Sequence, residues 1–299
     1  MSYSSRLSMA VAAALLLASP LGFSQAEDPV KLKEVRLTDD GRLKRDPVFQ
    51  PDGEHLVYGV DVSTDLIKLL RLNLETSESA PLHSDAPRSE LEPSFSANGR
   101  YHAYSQNTGN LSVKLVIRDD KEQKNAELVP QGRGGMRSPA FSPDSTLLAY
   151  CFAETGPQHI FLVTPQAKEK KQLTTGRGIN NWPTFTPDGQ RIVFSSSREG
   201  DFEIYSINLA GKDLRRLTES PRQDIRPRVS PDGSEIVFAS SRNGDQEIYV
   251  MNLDGSNVRR LTRNPERDDY PSWNVDGSKV VYLSERRGRF DLYLVDVTR

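Results

Sequence analysis

A proline recurs along the chain at nearly constant spacing, and this repeat constrains the fold more than any other feature. The prolines are Pro47, Pro93, Pro139, Pro183, Pro227 and Pro271, at intervals of 46, 46, 44, 44 and 44 residues. Two residues after each stands a large apolar side chain: Phe49, Phe95, Phe141, Phe185, Val229 and Trp273. Eleven residues after each stands an aromatic: Tyr58, Tyr104, Tyr150, Phe194, Phe238 and Tyr282. The repeat predicts six copies of one supersecondary unit that stack on each other.

The unit at residues 226–262 indicates what one copy contains, because it reads as four short strands joined by three tight turns. Glu235 to Ala239 is a short apolar run with Ile, Val and Phe, typical of a strand buried on both faces. Asn243-Gly244 predicts a two-residue type I′ hairpin, in which both residues take a positive φ. Arg242 and Asp245 flank this turn, and we expect them to form an exposed ion pair.

Four-stranded units of this length are typical of propeller blades. The sequence therefore predicts an all-β fold, a six-bladed β-propeller of four-stranded antiparallel blades. Val35-Arg36-Leu37-Thr38 repeats the fourth-strand sequence Arg216-Leu217-Thr218, and the chain stops at Arg299 before a fourth strand for the sixth unit. We expect the N-terminal strand to complete the last blade and close the ring, which leaves no open edge for a second chain to pair with. A monomer follows.

The first residues of the sequence predict export. Residues 1–26 resemble a signal peptide, with Arg6 in the charged region, Met9 to Leu17 as the apolar region and Ser24-Gln25-Ala26 as the cleavage site. Residues 27–299 then form the propeller. The apolar region of the signal peptide is too short to span a membrane, and residues 27–299 contain no apolar run of that length, so we expect no membrane insertion. The formal net charge of −2 does not favour nucleic acid as a partner.

The repeat also resembles a known family. Its consensus reads Pro-x-(Phe/Trp)-Ser-Pro-Asp-Gly, Ile-Val-Phe, Ser-Arg-x-Gly-Asp-x-Glu-Ile-Tyr and Arg-Arg-Leu-Thr, as in residues 183–262. This closely resembles the repeats of TolB propellers, periplasmic proteins of the Tol-Pal envelope system. The same repeat occurs in the propellers of prolyl-oligopeptidase-like peptidases and of some sugar lyases. The α/β domain that precedes the TolB propeller has no expected counterpart here, and its role is not carried over. What the resemblance implies is a periplasmic docking surface for an envelope partner.

Catalytic patterns are sparse, so we do not expect an enzyme. No Gly-x-Ser-x-Gly sequence occurs. His55, His83, His102 and His159 stand at different positions of their units, without the spacing of metal ligands. The alternative is a carbohydrate-active or lactonase-type propeller enzyme, with a metal held in or near the central channel by histidines of the first three blades.

The connectors that lead into the repeat prolines contain the best candidates for a binding site. By propeller geometry they lie at one mouth of the central channel. Trp182, Arg226 and Tyr270 have the composition of an interface hot spot. Three residues before the proline stand Asn180, Asp224, Asp268 and Glu90, which we expect to ring the channel mouth and to hold a lysine or arginine of a partner, or Ca²⁺. The alternative is that these side chains cap backbone amides or pair with Arg222 and Arg267.

The sequence thus predicts a periplasmic, TolB-like module that binds an envelope protein or peptide without catalysis. No cofactor is expected beyond a Ca²⁺ ion at the channel mouth.

Overall fold

The computed structural model describes residues 33–109, 112–131 and 134–297, and these residues form six sheets, one for each repeat unit. The predicted signal peptide, residues 1–26, lies outside the described residues. Within the described ranges, no helix has the length and apolarity that crossing a membrane requires.

The described chain begins with β1 (Glu34–Arg36) and then enters three successive blades. Blade 1 consists of β2 (Lys44–Phe49), β3 (His55–Ser63), β4 (Leu66–Asn73) and β5 (Ser79–Pro81). Blade 2 consists of β6 (Glu90–Phe95), β7 (Tyr101–Asn107), β8 (Ser112–Asp119), β9 (Lys124–Leu128) and the short β10 (Gly134–Gly135), which pairs with β8 in parallel. Blade 3 consists of β11 (Arg137–Phe141), β12 (Leu148–Phe152), β13 (His159–Val163) and β14 (Lys171–Gln172).

The second half of the described chain is more regular. Blade 4 consists of β15 (Asn180–Phe185), β16 (Arg191–Ser196), β17 (Glu203–Asn208) and β18 (Arg215–Arg216). Blade 5 consists of β19 (Asp224–Val229), β20 (Glu235–Ser240), β21 (Glu247–Asn252) and β22 (Arg259–Arg260). Blade 6 consists of β23 (Asp268–Trp273), β24 (Lys279–Arg286), β25 (Arg289–Asp296) and β1.

The first strands of the blades surround the central channel. Each contacts the first strand of the next blade, and β2 contacts β23, so the six strands form a closed circle. All six repeat prolines lie in these strands, and the six aromatic residues that follow them by eleven positions are buried. The hydrophobic core lies between blades, because a four-stranded blade can bury its faces only against its neighbours. The predicted six-bladed propeller is confirmed.

Strand β1 closes the ring, as predicted. It pairs antiparallel with β25, with Val35 opposite Leu294. Asp291 in β25 accepts hydrogen bonds from Arg36 at 2.5 Å and from Thr38 at 3.0 Å. The same contact holds the fourth strand in blade 4, where Glu203 accepts a hydrogen bond from Thr218 at 2.6 Å. The last blade therefore takes a strand from the other end of the described chain and fastens it as the regular blades fasten their own.

The hairpin between β20 and β21 differs from its sequence prediction. Only Gly244 takes a positive φ, 119°, so the turn is not type I′. Arg242 does not pair with Asp245 and instead donates a hydrogen bond to Asp224 at 2.7 Å, while its guanidinium lies 4.9 Å from the ring centroid of Tyr249. A buried carboxylate and an aromatic face stabilise the guanidinium more than a solvated carboxylate across an exposed turn does.

Deleting residues 27–40 tests the closing strand. The deletion removes the pairing of β1 with β25 and the hydrogen bonds of Arg36 and Thr38 to Asp291, and it exposes the edge of β25. We expect the free energy of unfolding to fall by about 3 kcal/mol or more, at about 1 kcal/mol for each hydrogen bond lost, together with aggregation through the open edge. Thermal melting and light scattering measure both effects. A synthetic peptide of residues 27–40 should restore the melting temperature, and a deletion variant that stays monomeric and melts like the full chain would contradict the role of β1.

Candidate functional site

The residue directly before the repeat proline takes a left-handed backbone conformation in every blade. The φ angles lie between 49° and 54°, and the residues are Asp46, Glu92, Ser138, Trp182, Arg226 and Tyr270. Non-glycine residues rarely adopt this conformation, and each instance costs on the order of 1–2 kcal/mol. A sixfold repetition shows that the surrounding structure imposes the strain, and strain of this kind is often found at functional sites.

A β-bulge accompanies each left-handed residue. In blade 5 the pairing of β19 with β20 shifts between Ile225 and Arg228, and the other five blades show the shift at the same place. Proline has no N–H group to donate to the ladder, so it is accommodated where the pairing is interrupted. A bulge changes the direction in which the neighbouring side chains point. Here it directs the pre-proline side chains toward the channel.

These side chains line a cavity of about 200 Å³ at one mouth of the channel. We call its lining residues the mouth cluster: Arg45, Asp46, Leu91, Glu92, Arg137, Gln158, Asn181, Trp182, Arg226 and Tyr270. Five of the six pre-proline residues belong to it. Ser138 lies beside it, since its backbone N–H donates a hydrogen bond to Glu92 at 2.9 Å.

Arg226 is held between two aromatic rings in the mouth cluster. Its guanidinium carbon lies 4.6 Å from the ring centroid of Trp182 and 4.1 Å from that of Tyr270. Its Nη1 donates to Asp269 at 3.2 Å. Burial lowers the pKa of Arg226, but Asp269, Tyr270 and Asp46 together outweigh this effect and raise that pKa above the ordinary value. The side chain is 14% exposed, so a preorganised cation with two ring faces is presented at the opening.

Two carboxylates face the same cavity. Glu92 accepts a hydrogen bond from the hydroxyl of Ser105 in its own blade at 2.8 Å. It also accepts one from the backbone N–H of Ser138 at 2.9 Å, and this bond links blades 2 and 3. Burial raises the pKa of Asp46 to about 7, with a further contribution from the charge of Glu92 and an opposing one from Arg226 and other arginines. The mouth cluster therefore contains a carboxyl group whose pKa is raised by burial.

The four polar residues predicted to ring the mouth lie inside the blades. Asn180, Asp224 and Asp268 have no exposed surface and Glu90 is 2% exposed, and none of the four lines the mouth cavity. Their partners are also not the predicted ones, because Asp224 pairs with Arg242 and Asp268 accepts a hydrogen bond from Asn264 at 3.2 Å. Of the predicted site, the structure brings together Trp182, Arg226 and Tyr270.

The buried position three residues before the proline links neighbouring blades. The backbone N–H of Asp224 donates to the carbonyl of Phe202 in the connection that precedes β17, at 2.8 Å, and the N–H of Asp268 donates to Gln246 at 2.7 Å. Asn180 fills the equivalent place in blade 4 and accepts hydrogen bonds from Ser196 and Arg198 at 2.9 and 2.8 Å. Burial raises the pKa of Asp224 and of Asp268 to about 6.

The histidines lie apart from the mouth cluster. His83 and His102 form a pair between blades 1 and 2, with 3.0 Å between their Nε2 atoms. Their Nδ1 atoms lie 2.7 Å from Glu90 and Asp120, respectively. The parts of the chain that the structure describes contain no group of three or more histidine, cysteine or acidic side chains placed to hold a metal.

Sequence reasoning missed Asp46 and Glu92, which stand one residue before the repeat proline. A signal was available, since this position carries six different residue types beside an invariant proline. Varied residues at a fixed place in a repeat are typical of a functional surface.

The closed ring of six blades defines the class of protein: the chain is a six-bladed β-propeller, and one mouth of its channel is lined by charged and aromatic residues, five of them with strained backbones. The model of the TolB beta propeller domain family matches residues 82–238, a little over half of the chain, and the chain belongs to this family. The model of the Tricorn protease N-terminal beta propeller domain matches residues 203–298. No curated protein matches the chain in sequence.

Solved structures are similar in fold. TolB from Acinetobacter baumannii is 20% identical with a TM-score of 0.66, over 85% of this chain and 63% of that one. The chain thus spans less than two thirds of that TolB. A putative TolB from Agrobacterium tumefaciens is 21% identical with a TM-score of 0.68, over 88% and 93%. An oligogalacturonate lyase in complex with manganese is 17% identical with a TM-score of 0.61, over 90% and 94%. At such identities the likeness shows the fold alone.

Substitution of Asp224 tests whether the buried carboxylates are structural. Asp224→Asn keeps an acceptor for Arg242, as Asn180 does in blade 4, and should cost less than about 1 kcal/mol of unfolding free energy. Asp224→Ala removes the acceptor and should cost about 2–3 kcal/mol. Urea denaturation measures both variants.

The pH dependence provides a second readout of Asp224→Asn. Because the folded-state pKa is raised to about 6, the stability that Asp224 contributes is present below about pH 4 and is lost as the pH rises through about 6. The parent should therefore lose stability as the pH rises from about 4 to about 6, whereas the Asn variant should not. The difference in unfolding free energy should shift in favour of the variant over this range. If it is as damaging as the Ala variant at every pH, the charge itself is required and the structural assignment is wrong.

Proposed function

We propose that this chain is a periplasmic, non-catalytic binding module that docks an envelope protein or peptide on its mouth cluster. The observation that carries the proposal is Arg226, which is held between Trp182 and Tyr270 by three successive strained pre-proline positions. Trp, Tyr and Arg are the residues most enriched at interface hot spots. A cation fixed before binding loses little conformational freedom on docking. Membership of the TolB propeller family supports the periplasmic location and a link with the Tol-Pal system.

The charges of the mouth cluster indicate which partner groups fit. Arg45, Arg137 and Arg226 line the cavity against two carboxylates, Asp46 and Glu92. Arg45 is paired with Asp61 at 2.6 Å, and Arg137 lies 3.7 Å from Glu92 with its side chain 43% exposed. The exposed charge is therefore cationic. This favours a partner that brings carboxylates or backbone carbonyls to the opening over Ca²⁺ or a basic side chain at the same place.

A second candidate function is metal-assisted catalysis on a carbohydrate or lactone. One observation favours it, since the carboxylate-backed imidazoles of His83 and His102 resemble the supported histidines of metal centres. The pair has only two histidines and lies between blades, away from the mouth cluster. We therefore rank it below binding.

Affinity capture from an envelope extract of the native host tests the binding proposal. Arg226→Gln removes the cation between the rings and should reduce the captured partner at least about tenfold, as expected for a hot-spot residue. Arg137→Gln removes an exposed charge that lies 3.7 Å from Glu92, so it should weaken capture while the melting temperature changes little.

Arg215→Gln is the matched control, because Arg215 is an exposed arginine of an outer strand, paired with Asp213. Its capture should equal that of the parent chain. Capture that survives both mouth variants, or that fails equally in the control, would show that the mouth cluster is not the docking site.

A further inference from the structure

The opposite mouth of the channel opens into a second cavity, of about 450 Å³, which we call the cup. It shares no lining residue with the mouth cluster. The strand ends and turns that form it place apolar residues around the opening: Pro51, Ala97, Pro143, Pro187, Pro231 and Val275. A deeper ring is formed by Phe49, Phe95, Phe141, Phe185, Val229 and Trp273. A cavity of this size with mainly apolar walls is typical of small-molecule sites.

Within the part of the chain that the structure describes, Arg228 is the single charged residue that lines the cup. It stands directly after the repeat proline, where the other blades have Val48, Ser94, Ala140, Thr184 and Ser272. The geometry of the repeat therefore does not require an arginine here. Trp273 fixes its backbone by donating from Nε1 to the Arg228 carbonyl at 2.9 Å.

The guanidinium of Arg228 lacks a close anionic partner. Among the described residues, no carboxylate lies within 4.0 Å of it, and its hydrogen bond goes to the carbonyl of Pro227 at 3.3 Å. Burial lowers the pKa of Arg228, the charge of Asp46 opposes this effect, and Arg226 adds to it while Glu92 opposes it. Burial of a guanidinium without a paired anion costs free energy, so a residue kept at this cost is a candidate ligand contact.

We propose that the cup binds a small monocarboxylate with an apolar body. The carboxylate meets the guanidinium of Arg228, whose planar N–H groups match its two oxygens. The apolar body lies against the rings of aromatic residues and prolines. One guanidinium supplies one positive charge, and Asp46 and Glu92 beyond it disfavour a second negative charge, so a monoanion fits better than a phosphate dianion. This site is separate from the mouth cluster and does not rest on the proposed function.

Calorimetric titration with 3-phenylpropanoate and with its neutral amide tests the proposal. The acid should bind saturably at one site per chain, and the amide should bind at least about tenfold more weakly because it cannot pair with the guanidinium. This comparison uses the parent chain and is independent of the folding of any variant. Equal binding of acid and amide, or no saturable binding at millimolar concentrations, would overturn the proposal.

Arg228→Ser adds a second readout, since serine occupies this position in blades 2 and 6. The variant should bind the acid at least about tenfold more weakly, and its melting temperature without ligand checks that it is folded. Arg215→Ser is the control with the same charge change and should leave binding unaltered. Undiminished binding by a folded Arg228→Ser variant would place the ligand elsewhere and overturn the assignment.

Discussion

The rest of the structure depends on one backbone constraint, a proline in the strand that lines the channel. Because proline cannot donate to the ladder, each first strand is interrupted there, and the residue before the proline takes a left-handed conformation at φ 49–54°. Six such residues cost on the order of 6–12 kcal/mol in total. The burial of the aromatic residues between blades and the closure by β1 offset this cost. The strained residues end up around one channel mouth, where a ligand can contact them.

The bulge also separates structural from exposed polar groups. Residues one and three positions before the proline would share a face in a regular strand. In this chain they diverge, because Asp224 is buried and pairs with Arg242, whereas Arg226 lines the mouth cavity. Buried carboxylates thus fasten the blades, and the charges of the mouth cluster remain available for recognition. The two ends of one channel differ in chemistry, since the mouth cluster is charged and the cup is apolar with one arginine.

Much of the fold could be predicted from the sequence. The repeat prolines and aromatic residues predicted six blades, and the copy of a fourth strand at Val35 to Thr38 predicted the closure. These features are periodic, and period alone identifies them. The placement of Asp224 could not be predicted, because it depends on a bulge that reverses the alternation of side chains. The prediction of an exposed Arg242–Asp245 pair was wrong for a related reason, since Asp224, a buried acceptor in the first strand of the blade, binds the arginine instead. Arg228 belongs to no recognisable motif, and its proposed role can be inferred only from the cavity that it lines.

The central claim, that a left-handed residue before each proline organises the channel, is tested most directly at Ser138. Glycine and alanine at this position remove the same side-chain hydrogen bonds, so the difference between the two variants reports the backbone alone. At φ 53°, glycine is free of the left-handed penalty, and Ser138→Gly should unfold with a free energy about 1 kcal/mol higher than that of Ser138→Ala. In an extended strand the order reverses, because alanine is favoured by roughly 0.5–1 kcal/mol. An alanine variant as stable as the glycine variant, or more stable, in urea denaturation would contradict the account.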